Sequence, residues 1–360
     1  MSPSRSLRFA RAAGVALLFA MWPDAPAETA AGAPDPPRSA SARELEGRWF
    51  LDFDRADGAV QLSTRRGSGR HHSESSSSFR LEDFRGLQRP SGAGELPARF
   101  SLPRDAGTFD FEGHLDATGG SGRFRFTANP DFERAWSASG RGPLPEDQLY
   151  AMALHDVSRA FIQELQALGY SDLPADKLIA MRIHGATPEF VRELKALGYA
   201  NLPVDQVIAF RIHGVTPTRI RELASQGYER IPAETLVAMQ IHGVTPEFVR
   251  ELRSLGYERV PAQQLIAMRI HGVSAEYVRA FQALGYRSVS AEDLVAMRIH
   301  GVSPDFVREL QGLGYRDVPV EDLVAMRIHG VTIDFVRQVQ SRDRSVSIDE
   351  LVSRRIHGRS

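Results

Sequence analysis

The chain reads as an α+β multidomain protein, a small antiparallel β-sheet domain followed by an α-solenoid of 29-residue two-helix repeats. Two observations predict this class. His155, His184, His213, His242, His271, His300 and His329 stand 29 residues apart throughout, and Tyr170, Tyr199, Tyr228, Tyr257, Tyr286 and Tyr315 keep the same interval. A fixed period of that size marks a supersecondary unit that buries its apolar face only against its neighbours. Ahead of the array, residues 108–115 and 123–127 alternate aromatic and charged side chains, the period-two pattern of a half-buried strand.

Composition narrows the classes further. The 360 residues contain no cysteine, which excludes a disulfide framework, a thiolate metal site and a thiol nucleophile. Forty-four basic residues against 45 acidic give a net charge of −1. The array carries 25 basic and 27 acidic residues, so neither balance suits a protein built to grip a phosphate backbone, and no nucleic-acid partner is expected.

Residues 1–27 read as a secretory signal peptide. Arg5, Arg8 and Arg11 precede an apolar run over 12–22, and Ala25-Pro26-Ala27 supplies a small-x-small cleavage pattern. The run is 11 residues, against the roughly 20 a spanning helix needs. An uncleaved anchor is the alternative, and membrane contact is expected only in that case, through this segment. The expected location is across the inner membrane, in the periplasm. Residues 28–43, rich in Ala, Pro and Ser, read as a flexible lead-in.

Residues 44–130 read as the β domain. Residues 48–53 and 59–63 form extended runs around the turn signal Ala56-Asp57-Gly58. Residues 119–122, Gly-Gly-Ser-Gly, read as the turn of a hairpin with Phe109, Phe111, Phe124 and Phe126 on one side. Asp110, Glu112, Arg123 and Arg125 then share the wet face, placed to pair across strands. Residues 65–78, with His71-His72 and a serine run, read as a flexible hairpin tip. Adjacent histidines on extended chain point apart, which disfavours a shared metal. Residues 131–144 read as a linker.

Residues 145–360 read as seven repeats and a terminal half. In residues 232–260, Pro232 and Glu234 open a first helix that Gly243 stops. Thr245 caps a second helix with Pro246 at its first position, and Gly256 stops it. The expected apolar set is Leu236, Val237, Met239 and Ile241 on the first helix and Phe248, Val249, Leu252 and Leu255 on the second. The ends are atypical: Asp156 stands where later repeats carry glycine, and the last repeat replaces its Gly-Tyr return with Ser341-Arg342-Asp343.

The His-Gly pairs (His184-Gly185, His213-Gly214, His242-Gly243, His271-Gly272, His300-Gly301, His329-Gly330) are assigned a structural role, a cation and a left-handed stop at the negative end of each first helix. Equivalent side chains from helices about 8–10 Å apart do not converge on one zinc at about 2.1 Å. No metal, no cofactor and no catalytic residue is therefore expected. One arginine series, Arg182, Arg211, Arg269, Arg298 and Arg327, is broken by Gln240. A second, with interleaved glutamates, reads as ion pairs on a solvated face. HExxH, GxSxG, P-loop and GxGxxG motifs are all missing, so a non-enzyme is expected. The variable return positions Asp172, Asn201, Arg230, Arg259, Arg287 and Arg316 are the candidate interaction surface.

The phrase Asp-Leu-Val-Ala-Met-Arg-Ile-His-Gly-Val-Ser-Pro-Asp-Phe-Val-Arg-Glu-Leu, residues 293–310, resembles the helical repeat appended to some bacterial BlaR-like antirepressor metallopeptidases. Residues 104–113 and 122–130 resemble the sheet segment that accompanies it. The resemblance spans about 46–360 and implies the extracytoplasmic accessory part alone, because the peptidase's spanning helices and HExxH are absent. The expected function is a secreted, non-enzymatic scaffold that binds an unidentified protein or peptide through the solenoid. The alternatives are a sensor or adaptor module of an envelope signalling peptidase system, and a small-ligand binder or unsignatured enzyme centred on the β domain.

Overall fold

The computed structural model describes residues 44–53, 58–68, 71–92 and 94–358. The expected signal peptide and lead-in lie outside the described residues. Six antiparallel strands come first: β1 (Glu44–Asp52), β2 (Val60–Ser68), β3 (His71–Phe79), β4 (Leu96–Arg104), β5 (Gly107–Leu115) and β6 (Gly119–Ala128). They form one sheet in the order β3-β2-β1-β6-β5-β4, so β6 returns to pair with β1 at the centre. Phe109 faces Phe126 and Phe111 faces Phe124, as the alternation predicts. These four rings, with Trp49, Phe100 and Leu102, fill the inner face.

Two expectations for the sheet are corrected. Residues 65–68 and 71–78 are not loose: they lie within β2 and β3, paired from Val60↔Phe79 to Ser68↔His71, while residues 69 and 70 lie outside the described residues. Serine has weak strand propensity, so the signal was missed, but β3 is an edge strand whose outer side meets water. The glycines at 119, 120 and 122 are strand residues rather than a turn. The chain instead reverses at residues 116–119, where the Asp116 carboxylate accepts from the Thr118 and Gly119 amides at 2.7 and 3.0 Å. Gly122 is glycine because a Cβ there would meet the Glu112 carbonyl at 2.0 Å and the Trp49 indole at 2.7 Å.

The expected linker 131–144 is largely a helix, α1 (Pro130–Ala138), with Phe132 and Trp136 buried. Its one-turn spacing of two aromatics was too short a pattern to stand out. Seven helix pairs follow, α2 (Glu146–Leu154) with α3 (Arg159–Ala167), α4 (Ala175–His184) with α5 (Pro188–Ala196), α6 (Val204–Ile212) with α7 (Pro217–Ala224), α8 (Ala233–Ile241) with α9 (Pro246–Ser254), α10 (Ala262–Ile270) with α11 (Ala275–Ala283), α12 (Ala291–Ile299) with α13 (Pro304–Gly312), and α14 (Val320–Ile328) with α15 (Ile333–Gln340). The closing half-repeat is α16 (Ile348–Ile356).

Each first helix packs on the next first helix and each second helix on the next second helix, the stacking of a solenoid. Thr245 accepts from the Phe248 amide at 3.1 Å, and Val244 N–H closes onto the Met239 carbonyl at 2.8 Å through left-handed Gly243, as the cap signals require. Leu236, Met239, Phe248, Val249 and Leu252 are buried. Ile241 is not: it is 55% exposed. Five residues after Leu236, it lies about 140° around the helix, away from the core stripe.

Sheet and array share one continuous core. Tyr150 of α2 lies beneath the sheet, 5.2 Å from the Phe109 ring and 5.5 Å from Phe126. Its hydroxyl donates to Thr64 at 2.8 Å, and the Arg66 guanidinium stacks 3.9 Å above its ring. At the same junction Asp105 takes the Arg159 guanidinium and backbone N–H, and Arg104 reaches Asp156 at 3.8 Å. The sheet therefore covers the first repeat, as a capping element of a solenoid must.

Candidate functional site

The repeats are joined by contacts that recur with the period. The tyrosine hydroxyls of residues 170, 199, 228, 257, 286 and 315 each donate to the last carbonyl of the following repeat, at 2.6–2.8 Å. Burial of the rings pushes these phenols above their ordinary pKa of 10.0. The first arginine series packs on aromatic rings, although Arg211, Arg269 and Arg298 remain exposed. Arg182, Arg211, Arg269, Arg298 and Arg327 lie over Phe161, Phe190, Phe248, Tyr277 and Phe306 of the preceding repeat, 4.6–5.1 Å from the ring centroids. Arg355 extends the series over Phe335 at 5.2 Å.

These arginines also serve the helix ends assigned to the histidines. Arg182 Nε donates to the His155 carbonyl at 2.9 Å, Arg211 to His184 at 3.2 Å, and Arg298 to Gly272 at 2.9 Å. His184, His213, His242, His271, His300 and His329 each end a first helix before a left-handed glycine, at φ near +70°, whereas His155 precedes left-handed Asp156 at φ 55°. Among the described residues only the His357 ring bonds a carbonyl of its own helix, that of Ser353 at 2.7 Å. His155, partly buried and beside Arg182, is held below its ordinary pKa of 6.5, burial being the larger cause. Among the described residues no cluster of three metal-ligating side chains forms.

The second arginine series forms the expected ion pairs between repeats only in part. Arg221 reaches Glu193 and Arg337 reaches Glu309 across repeats, at 3.0 and 2.9 Å. Arg250 pairs within its own helix with Glu247 at 2.6 Å.

Three surfaces remain. The return positions Asp172, Asn201, Arg230, Arg259, Arg287 and Arg316 are all exposed. They are spread along one edge, and Arg230 and Arg259 line a shallow cleft of about 640 Å³ with Tyr228 and Arg253.

The second surface went unread in the sequence. Ile183, Ile212, Ile241, Ile270, Ile299, Ile328 and Ile356 are 43–55% exposed, one on each first helix from α4 to α16. Behind each of the first six sits a half-buried alanine three residues earlier, as Ala238 sits behind Ile241. Glu234 shares the same face seven residues before Ile241, and Asp176, Asp205, Glu292, Glu321 and Asp349 hold the equivalent places, so an acidic row broken by Gln263 runs parallel to the apolar one. The available signal was that these helices are apolar on more than one side.

The third is the outer face of the sheet, over a concave space of about 910 Å³ lined by charged residues of β1, β4, β5 and β6. Asp110 and Glu112 do stand opposite Arg125 and Arg123 in register. The close ion pairs run elsewhere: Glu112 goes to Arg99 at 2.8 Å and Arg125 to Glu46 at 3.2 Å. The inner face is filled by its phenylalanines, so any ligand of this sheet must sit outside.

Among the described residues no helix is long and apolar enough to cross a membrane. No family model matches the chain, and no curated protein matches it.

Proposed function

We propose that the protein is a secreted, non-enzymatic scaffold that binds a protein or peptide along the outer edge of its first helices. One observation carries this reading: the row of seven exposed isoleucines at repeat spacing. Single exposed apolar residues are ordinary, but a ruled line of them is a surface that water penalises in every repeat. Nothing in folding requires it, since Leu236 and Met239 and their equivalents already fill the core. The parallel acidic row favours a partner with an apolar stripe and a basic edge.

The test is a crosslinking pull-down from envelope extract with the chain from Glu28 onward, beside a variant carrying Ile241→Asp, Ile270→Asp and Ile299→Asp. A protein captured by the parent and lost from the variant supports the reading. Equal capture by both, or capture lost only when Arg230 and Arg259 are replaced, moves the interface to the returns.

A further inference from the structure

The outer sheet face carries one cross-strand row, Glu74–Arg65–Arg48–Arg123–Glu112–Arg99, in register from β3 to β4. Three arginines stand side by side in it, an arrangement that costs stability when charges lie directly opposite. The flanking arginines are neutralised: Arg65 by Glu74 at 3.0 Å and Arg99 by Glu112 at 2.8 Å. Glu46, on the same face as Arg48, is drawn away to Arg125. Glu74, Glu112 and Glu46 are thus each engaged away from the central pair. Among the described residues, Arg48 and Arg123 have no carboxylate within 4.0 Å.

Both line the space of about 910 Å³, together with Arg85, Ser101 and Asp110. Asp110 makes no ion pair among the described residues either, although Arg125 stands opposite it. The space therefore offers two kinds of unused partner. The adjacent guanidinium forks of Arg48 and Arg123, on strands about 4.8 Å apart, suit one phosphate or carboxylate group. A free carboxylate and a serine suit the hydroxyls of the same ligand. Glu46, Asp110 and Glu112 repel a polyanion such as nucleic acid. Phe50, one step further along the same face of β1 and 44% exposed, offers a ring for the apolar side of a pyranose.

We propose that this face binds an acidic saccharide, with its carboxylate or phosphate held between Arg48 and Arg123 and its hydroxyls on Asp110 and Ser101. The site is distinct from the isoleucine row.

The experiment is titration calorimetry on the full chain from Glu28 with four probes: trigalacturonate, glucose 6-phosphate, neutral trigalactose and inorganic phosphate. The expected result is binding of one or both acidic saccharides and none of the neutral trimer. Arg48→Gln and Arg123→Gln should each weaken it at least tenfold, and Phe50→Ala should weaken saccharide binding. Arg65→Gln, which removes a neutralised arginine, should change it less than threefold. Thermal melts of the variants confirm that each is folded. No binding of either acidic saccharide at millimolar concentration overturns the proposal. So does an equal loss in Arg65→Gln, which marks charge attraction alone, and so does inorganic phosphate binding as tightly as the saccharides.

Discussion

The hydroxyl of Tyr228 donates to the carbonyl of Val260 at 2.7 Å, 32 residues away and at the far end of the following repeat. Half of the tyrosine is spent packing after a glycine stop, and its tip ties one repeat to the next. A single such bond is worth about 1 kcal/mol. Tyr228→Phe is expected to lower stability by about that amount without loss of secondary structure, read as a shift in the urea midpoint at unchanged slope. A change below about 0.3 kcal/mol would mean that water replaces the phenol freely.

Arg219 and Gln240 depart from the pattern together. Arg219 occupies the ring position held by Phe190 and Phe248 in adjacent repeats, and Gln240 the position of Arg211 and Arg269. Where the ring is lost, the cation that would lie over it is lost too; Arg219 instead donates to the Val244 carbonyl at 3.5 Å. The Oε1 atoms of Gln240 and Gln226 are buried there without a donor. Gln240→Arg alone is expected to destabilise by setting two guanidinium groups together. Arg219→Phe with Gln240→Arg should stabilise by about 1 kcal/mol, the usual worth of a partly buried cation–π contact. A double-mutant cycle by thermal melting measures the coupling, and additive effects would refute it.

His155 supplies a pH dependence. Burial and Arg182 hold its folded pKa below 6.5, so between the two values the unfolded chain binds a proton that the folded chain refuses. Stability must then fall as pH drops through about 6.5, down to the depressed folded value. His155→Asn should flatten that part of the profile in denaturant titrations from pH 7.5 to 5. An unchanged slope would assign the effect to other groups.

Ile270→Asp and Leu252→Ala separate surface from core. Ile270 is 43% exposed and Leu252 is 1% exposed. The first should change stability by less than about 0.5 kcal/mol. The second should cost about 2–5 kcal/mol by leaving a cavity. Both are read from the same unfolding curves.

Tyr150 links sheet and array through Thr64 and three phenylalanine rings. An array cut free at residue 144 should expose that apolar end, bind a hydrophobic dye and melt below the full chain. A fragment melting at the same temperature would show that the sheet contributes nothing to the array.

The architecture was legible because its signals repeat or alternate. Caps such as Thr245 and stops such as Gly243 are local, and local chemistry reads directly from residue order. The alternation put the four phenylalanines on one face, but the turn expected at residues 119–122 lies at 116–119. Less was legible where a residue's role depends on its neighbour in space. The tyrosine tip, the arginine lying over a ring one repeat back and the paired change at Arg219 and Gln240 are contacts between repeats. Ile241 was misplaced because an apolar residue near a helix end fits a core list until its angle is counted. Ser73 to Ser78 defied strand propensity because an edge strand tolerates side chains that a central strand would not.

Among the described residues, the tyrosine, arginine–ring and inter-repeat ion-pair contacts of the array each run from one repeat to its immediate neighbour. A 29-residue block such as residues 261–289 can be removed on paper and the ends rejoined with Phe248 meeting Arg298 and Tyr257 meeting Val318. Such an array works as a ruler: its length changes by whole repeats, so its span can be altered without redesigning any contact.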